Sequence, residues 1–344
     1  MQQKLLVWGG GGILLILLSI TISLSIGTVQ LPLLQVWGII AHHLPWIGDS
    51  IPVRWEASSE QIIWRVRFPR VVLGLLVGAS LGIAGAAFQG VLRNPLADPY
   101  TLGVSSGAAV GASFLILFGL QFSWLGAWTV PAVAFATGVA SLITVLLLSR
   151  IDGKLQMETV ILSGVVMHAF LGAFVALMVS MSKQVVNEII FWLMGSLTLR
   201  GWSYSLILLP YLVVGALVLF MFGRAMNLFS LGEAQASHMG VNVERTKLTV
   251  LIAATLVTAA AVSVSGVIAF VGLIVPHLLR MVVGPDYRLL LPLSLLGGAL
   301  YVLWADTLGR VLWSPMEIPL GVVTAFLGAP FFVYLMRKSK RAAG

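Results

Sequence analysis

Residues 65–112 read RVRFPRVVLGLLVGASLGIAGAAFQGVLRNPLADPYTLGVSSGAAVGA, and this stretch decides what kind of fold the chain can adopt. Arg65, Arg67 and Arg70 cluster around Pro69, an uncharged run follows over 71–92, and Arg93-Asn94-Pro95-Leu96-Ala97-Asp98-Pro99 makes a polar break before the next apolar run. At about 1.5 Å per helical residue, 71–92 is long enough to cross a hydrocarbon layer of roughly 30 Å. Its glycines fall four apart (Gly74, Gly78, Gly82), and the next run repeats the spacing at Gly103, Gly107 and Gly111. Glycines at i, i+4 strip one helix face of side chains and let a neighbouring backbone approach closely.

The rest of the chain agrees with a membrane reading. Of its 344 residues 59% are hydrophobic and 9% charged, with mean hydropathy +1.03, whereas soluble domains carry about a quarter charged residues. The net charge of +8 sits mostly in short loops between apolar runs, so it reads as a topology signal and not as nucleic-acid binding. Cysteine is absent, which excludes disulfides, thiolate metal sites and cysteine nucleophiles. The first apolar run is longer than a signal-peptide core and is read as an uncleaved helix.

The expected architecture is an all-α polytopic membrane protein, one domain over 1–344. It has about ten transmembrane helices, at 5–26, 68–92, 101–120, 130–149, 159–181, 202–222, 245–264, 267–283, 289–305 and 318–336. The uncharged run 248–279 is long for one span and short for two. Gly266 and Pro276 are taken to break it, with Arg245, Lys247 and Arg280 snorkelling at its ends. An amphipathic piece at 31–44 is expected on the membrane surface, and 189–197, too short to span, is interfacial or re-entrant. Residues 150–154 read as a loop.

With both termini inside, most of the 20 lysines and arginines fall on the inner side, which the positive-inside rule favours. Spans two and seven then run oppositely and share Gly85…Phe88-Gln89-Gly90…Pro95 against Gly266…Phe270-Val271-Gly272…Pro276. An inverted repeat would leave such a pattern, although alone it is close to chance.

Three places attract functional attention. Arg67 and Arg70, three apart at a helix start, share one face on the side where the positive-inside rule disfavours them. In the connection 224–241, Ser230 and Glu233 have the spacing of a capping box, so a short helix is expected to run to about His238 and stop at Gly240. His168 is the one ionisable side chain near the middle of a span, where hydrogen bonding between helices is the simpler role. No phosphate-cradling glycine loop precedes Gly153-Lys154. No HExxH pattern or intramembrane carboxylate pair points to an enzyme or to ion coupling. Direct cofactor and metal binding are therefore not expected.

The chain as a whole resembles the membrane subunit of type II ABC importers, the family that takes up iron–siderophores, haem and cobalamin. Besides 65–112, the resemblance rests on FWLMGSL at 191–197, LGEAQASHMG at 231–240, GLIVPHLLR at 272–280 and IPLGVVTAFLGAPFF at 318–332. It implies that Arg67, Arg70 and Arg310 meet acidic residues of an extracytoplasmic substrate-binding protein. It also implies that residues 228–240, with Leu228, Ser230, Leu231, Gly232, Glu233, Ala236, His238 and Gly240, seat in a groove of an ATPase subunit. By position the cytoplasmic gate would be Asn94, Leu96, Met157 and Glu158, although the family has small hydroxyl residues where Met157 and Glu158 stand. The implied machine lies in a bacterial cytoplasmic membrane. It has two ATPase copies that use ATP and Mg, and a second permease copy or paralogue. An iron(III)–siderophore is the expected cargo on frequency in the family, with cobalamin or haem as alternatives and an ion-coupled secondary transporter as the opposing class.

Overall fold

The computed structural model describes residues 2–27, 29–46 and 48–342, and helices dominate it. Among the described residues seven helices are long and apolar enough to cross a membrane: α1 (Gln2–Ser25), α4 (Phe68–Val91), α6 (Thr129–Leu148), α7 (Met157–Met181), α9 (Trp202–Met221), α12 (Val243–Ser265) and α14 (Tyr287–Val311). Two shorter apolar helices, α5 (Val104–Phe118) and α13 (Val271–Val283), and α15 (Leu320–Ala342), apolar over Leu320–Val333, take the other expected places. The small helices α2 (Leu33–His42), α3 (Ala57–Gln61) and α8 (Val186–Leu193) belong to connections, and α10 (Gly223–Phe229) and α11 (Glu233–His238) join α9 to α12. The expected surface piece contains α2, whose Val36, Ile39 and Ile40 pack on Leu24, Ile63, Val71 and Leu303 of the bundle.

The quoted stretch forms the centre. α4 is enclosed by α14, α12, α13 and α9, and its bare face is what admits α14. A Cβ on Gly78 would run into the carbonyl oxygen of Gly298, and one on Gly298 into that of Gly78. The second glycine stripe serves α6, since side chains at Gly107 and Gly111 would strike Thr137. Gly103 does something else. It adopts φ 81° between a 3-10 turn at Pro99–Leu102 and α5, so the helix starts at Val104 and not at residue 101.

The long run after Lys247 does divide into two helices, but only once. Gly266 and Phe270 take positive φ (73° and 71°) and the backbone between them is non-helical. Such backbone survives at membrane depth when protein groups satisfy it. The Tyr100 hydroxyl donates to the Ile268 carbonyl and accepts from the Ile268 N–H. Pro276 is not a second break, because it lies inside α13. Proline brings no N–H, which would leave the carbonyl four residues back without its helical donor. Gln89 supplies it, donating from Nε2 to Gly272 O and Leu273 O at 3.2 Å each. The two similar motifs thus pack on each other, with Gly85 against Gly272, yet the first runs from within α4 to a proline beyond its end, and the second crosses an interruption and has its proline inside α13.

The stretch 150–154 is a hairpin and not a loop. Arg150–Ile151 (β1) pairs antiparallel with Lys154–Leu155 (β2). Asp152 (φ 51°) and Gly153 (φ 76°) form its two-residue turn. Asp-Gly is the sequence signature of a turn that needs positive φ twice.

Candidate functional site: the two polar ends of the bundle

At the end where α4 begins, three arginines are buried. Arg67, Arg70 and Arg310 are 6%, 8% and 5% exposed. The last carbonyls of a helix lack intrahelical partners, and those of α1 are where two of these arginines go. Arg67 donates to Leu24 O at 2.9 Å and to Val29 O. Arg310 donates to Ser23 O at 3.1 Å, Ser23 Oγ at 2.8 Å and Ile26 O at 3.3 Å. Arg70 forks onto both oxygens of Asp306 at 2.9–3.1 Å, and its Nη1 reaches Glu317 at 2.9 Å. Arg310 Nε lies 3.2 Å from Asp306 Oδ2 without hydrogen-bond geometry.

The three arginines expected to meet a binding protein are thus buried here, with their guanidiniums directed at the end of α1, Val29, Asp306 and Glu317. Among the described residues, the exposed cations of this end include Arg54, Arg65 and Lys183. Burial favours the protonated form of Glu317, but Arg70, the hydrogen bond from Thr198 and Arg310 together hold its carboxyl below the usual range.

At the opposite end α9 leads into the α10–α11 connection. The expected capping box is absent. Ser230 Oγ donates to Asn227 O at 2.6 Å, the helix begins only at Glu233, and its cap is Gly232 at φ 111°. Glu233 faces away from a cap because Lys247 takes it, Nζ to Oε2 at 2.7 Å. The C-terminal stop is as expected. Gly240 has φ 84°, Val241 N–H bonds Ala236 O and Gly240 N–H bonds Ser237 O, which is a Schellman arrangement. Ala236 is buried, Leu228 half-buried, and Ser230, Leu231 and His238 are exposed. Asn227 anchors α10 to the start of α14, donating to Asp286 Oδ1 at 2.6 Å and accepting from Tyr287 N at 2.8 Å. Hydrogen bonds from Arg288 hold the Asp286 carboxyl down at about 2, against the effect of burial.

Lys247 is the residue that sequence reasoning missed at this end. A lysine in the first turns of an apolar helix reads as a snorkelling side chain, yet Lys247 is 2% exposed. The groups that bury it come from the hairpin and α11, both distant in sequence. Leu155, Glu233 and Glu244 surround its ammonium. Beside it a polar cavity of about 510 Å³ is lined by Arg93, Lys154, Met157, Glu158, Glu233 and Glu244, among others.

Of the four candidate gate residues, Met157 and Glu158 line this cavity, Met157 being also part of the core (8% exposed). Asn94 and Leu96 are absent from its wall. Asn94 closes its own turn by accepting from Leu96 N at 2.9 Å, and Leu96 is exposed. His168 bonds Ser106 through Nδ1 and so links α7 to α5. Among the described residues no cluster of three or more His, Asp or Glu is arranged to hold a metal.

A dense glycine-packed core, one long helix (α7) that packs on α5 and α6 and leaves an apolar face exposed, and polar fittings at both ends are the working parts of a membrane permease. The chain belongs to the FecCD transport family, which matches residues 14–338, a family of ABC importer permease subunits that are not themselves enzymes. It is 43% identical over 324 residues to the uncharacterized ABC transporter permease protein YvrB of Bacillus subtilis (strain 168), covering 94% of this chain and 91% of that one. It is 42% identical over 311 residues to the cobalamin import system permease protein BtuC of Halobacterium salinarum, covering 87% and 81%. A solved inward-facing metal-chelate type ABC transporter aligns with TM-score 0.81 and 34% identity, over 95% of this chain and 98% of that one.

Proposed function

We propose that this permease carries a metal chelate into the cytoplasm by ATP-driven alternating access, with ATP hydrolysed by two copies of a separate ATPase subunit. The observation that carries the reading is the α10–α11 loop. Leu231 and Met239 stand out at 56% and 59% exposed, while Asn227, Glu233 and the Gly240 stop fix the loop beneath them. A rigid helical knob with an apolar tip suits a groove on a partner. This end would be cytoplasmic, as both termini would be, and the arginine-rich end would face outward to receive the binding protein. There Arg54 and Arg65 would make the charged contacts, and Arg67, Arg70 and Arg310 would hold the platform in shape. A second permease copy would complete the path, the sparsely packed face of α7 being the surface left for it.

For the cargo, ferric siderophore led on frequency in the family. The relative named for cobalamin import, at 42% identity, moves cobalamin to first place, with ferric siderophore second. The test is uptake by vesicles holding the permease with its ATPase and binding protein, offered cobalamin, ferric hydroxamate or haem. ATP-dependent cobalamin uptake supports the whole reading, and uptake of another chelate replaces the cargo only. Leu231→Glu should abolish ATPase association. If that variant still binds the ATPase normally, the loop is not the docking knob.

A further inference from the structure

The Lys247 cluster has a property that a simple structural ion pair lacks. Its ammonium joins three separately built pieces: the first residue of α11 through Glu233 Oε2 (2.7 Å), its own helix through Glu244 Oε1 (3.3 Å), and the hairpin through Leu155 O (3.2 Å). Glu244 also accepts from Leu155 N–H, Oε2 at 3.0 Å. Both main-chain groups of Leu155 are therefore held by side chains of one helix turn. Two residues later α7 begins, with Met157 buried and Glu158 on the cavity. α7 is otherwise, with α1, one of the two least embedded long helices: Leu162, Val166, Phe170 and Leu177 are all more than half exposed.

We infer that Lys247 is a positioning residue for transport, a relay that carries displacement of α11 to the start of α7. The physical case is one of stiffness. A buried ammonium with three acceptors loses its compensation if any one of them moves away alone, because the remaining charge stays out of water. Glu233, Glu244 and Leu155 must then shift together, and Leu155 pulls on α7 through one residue, Gln156. A loop helix pressed by a partner would otherwise move by itself, since its backbone link to the start of α7 runs back through α10, α9, α8 and the whole of α7. The inference rests on the importer reading, because it needs a partner that displaces α11.

The absence of cysteine makes the test direct. Spin labels at Ser237→Cys and Gln156→Cys, both exposed positions, report the movement of α11 and of the α7 entry in the complete transporter as ATP binds. Uptake per ATP hydrolysed is read in parallel. Lys247→Met should keep ATPase binding and hydrolysis, leave the Ser237 label moving, and quiet the Gln156 label. Uptake per ATP should fall about tenfold, the size of a typical coupling between sites. Lys247→Arg should restore most of it, and Glu244→Gln, a milder change on the same clamp, guards against a Lys247→Met chain that fails to fold. Unchanged movement of Gln156 in Lys247→Met or Glu244→Gln overturns the relay alone. A parent transporter whose labels ignore ATP overturns the importer reading, and the relay with it.

Discussion

Asp306 is the single carboxylate that keeps two buried guanidiniums apart, and Asp306→Asn measures what that is worth. It is 3% exposed and lies 2.9 Å from Arg70 and 3.2 Å from Arg310. The amide is almost isosteric, so packing is kept and only the charge is lost. Removing one partner of a buried pair costs about 3–5 kcal/mol. Here the cost should lie at the upper end, because Arg70 and Arg310 are left facing each other. Glu317 offers the control. It contacts the same Arg70, but its side chain is 36% exposed, so water screens the loss and Glu317→Gln should cost about 1 kcal/mol or less. Thermal unfolding of the detergent-solubilised protein, followed by size-exclusion fluorescence, should show a drop of roughly 6–12 °C for Asp306→Asn and no more than about 3 °C for Glu317→Gln. Equal shifts would refute the reasoning, since burial would then not decide the strength of these pairs.

Gln89→Ala should cost about 1–3 kcal/mol by orphaning the Gly272 carbonyl. Pro276→Ala restores a helical N–H for that carbonyl, so the double variant should unfold at a higher temperature than Gln89→Ala; strict additivity would sink this account. Gly78→Leu should prevent α4 from meeting α14 and give little folded protein on extraction, whereas Gly172→Leu, with open space at that position, should retain much more. Asp98 is buried with no cationic partner among the described residues, and burial raises its carboxyl from the ordinary 3.8 to about 6. Its folded value is the higher one, so the protonated form stabilises the fold below pH 3.8 and this stabilisation fades as pH rises through about 6. Asp98→Asn should therefore raise the unfolding temperature at pH 8 and leave it nearly unchanged at pH 4.

The core of this fold is legible because its cause is local. Glycines four apart in a long uncharged run demand a close neighbour, and α14 arrives with Gly298. The ends were harder to read because their chemistry is assembled from distant segments. Arg67 and Arg310 look outward in sequence, and only the end of α1, more than forty and two hundred and eighty residues away, shows where their donors go. Lys247 is misread for the same reason, since two of its three acceptors lie in the hairpin and α11. The hairpin itself was within reach, since Asp152-Gly153 is a turn signal. Ser230 and Glu233 have the right spacing for a cap, but Gly232 sets a backbone direction that a capping box does not allow, and a buried lysine competes for the glutamate.

The distribution of acidic residues bears on where the energy for transport enters. An ion-coupled carrier needs a carboxylate at membrane depth that can exchange its proton or cation during the cycle. Asp306 lies toward the end of α14 and is held in a buried ion pair by Arg70 and Arg310, so its carboxylate serves the fold. Asp98 is buried and tied into the fold, capping the Pro99–Leu102 turn and accepting from Tyr100 N at 3.1 Å. Glu158, Glu233 and Glu244 collect instead around the cavity next to the α10–α11 loop. The charges that could respond to an outside event thus sit where a partner would push, and the membrane interior holds little that a gradient could drive. That placement favours force applied at the loop over coupling along the path.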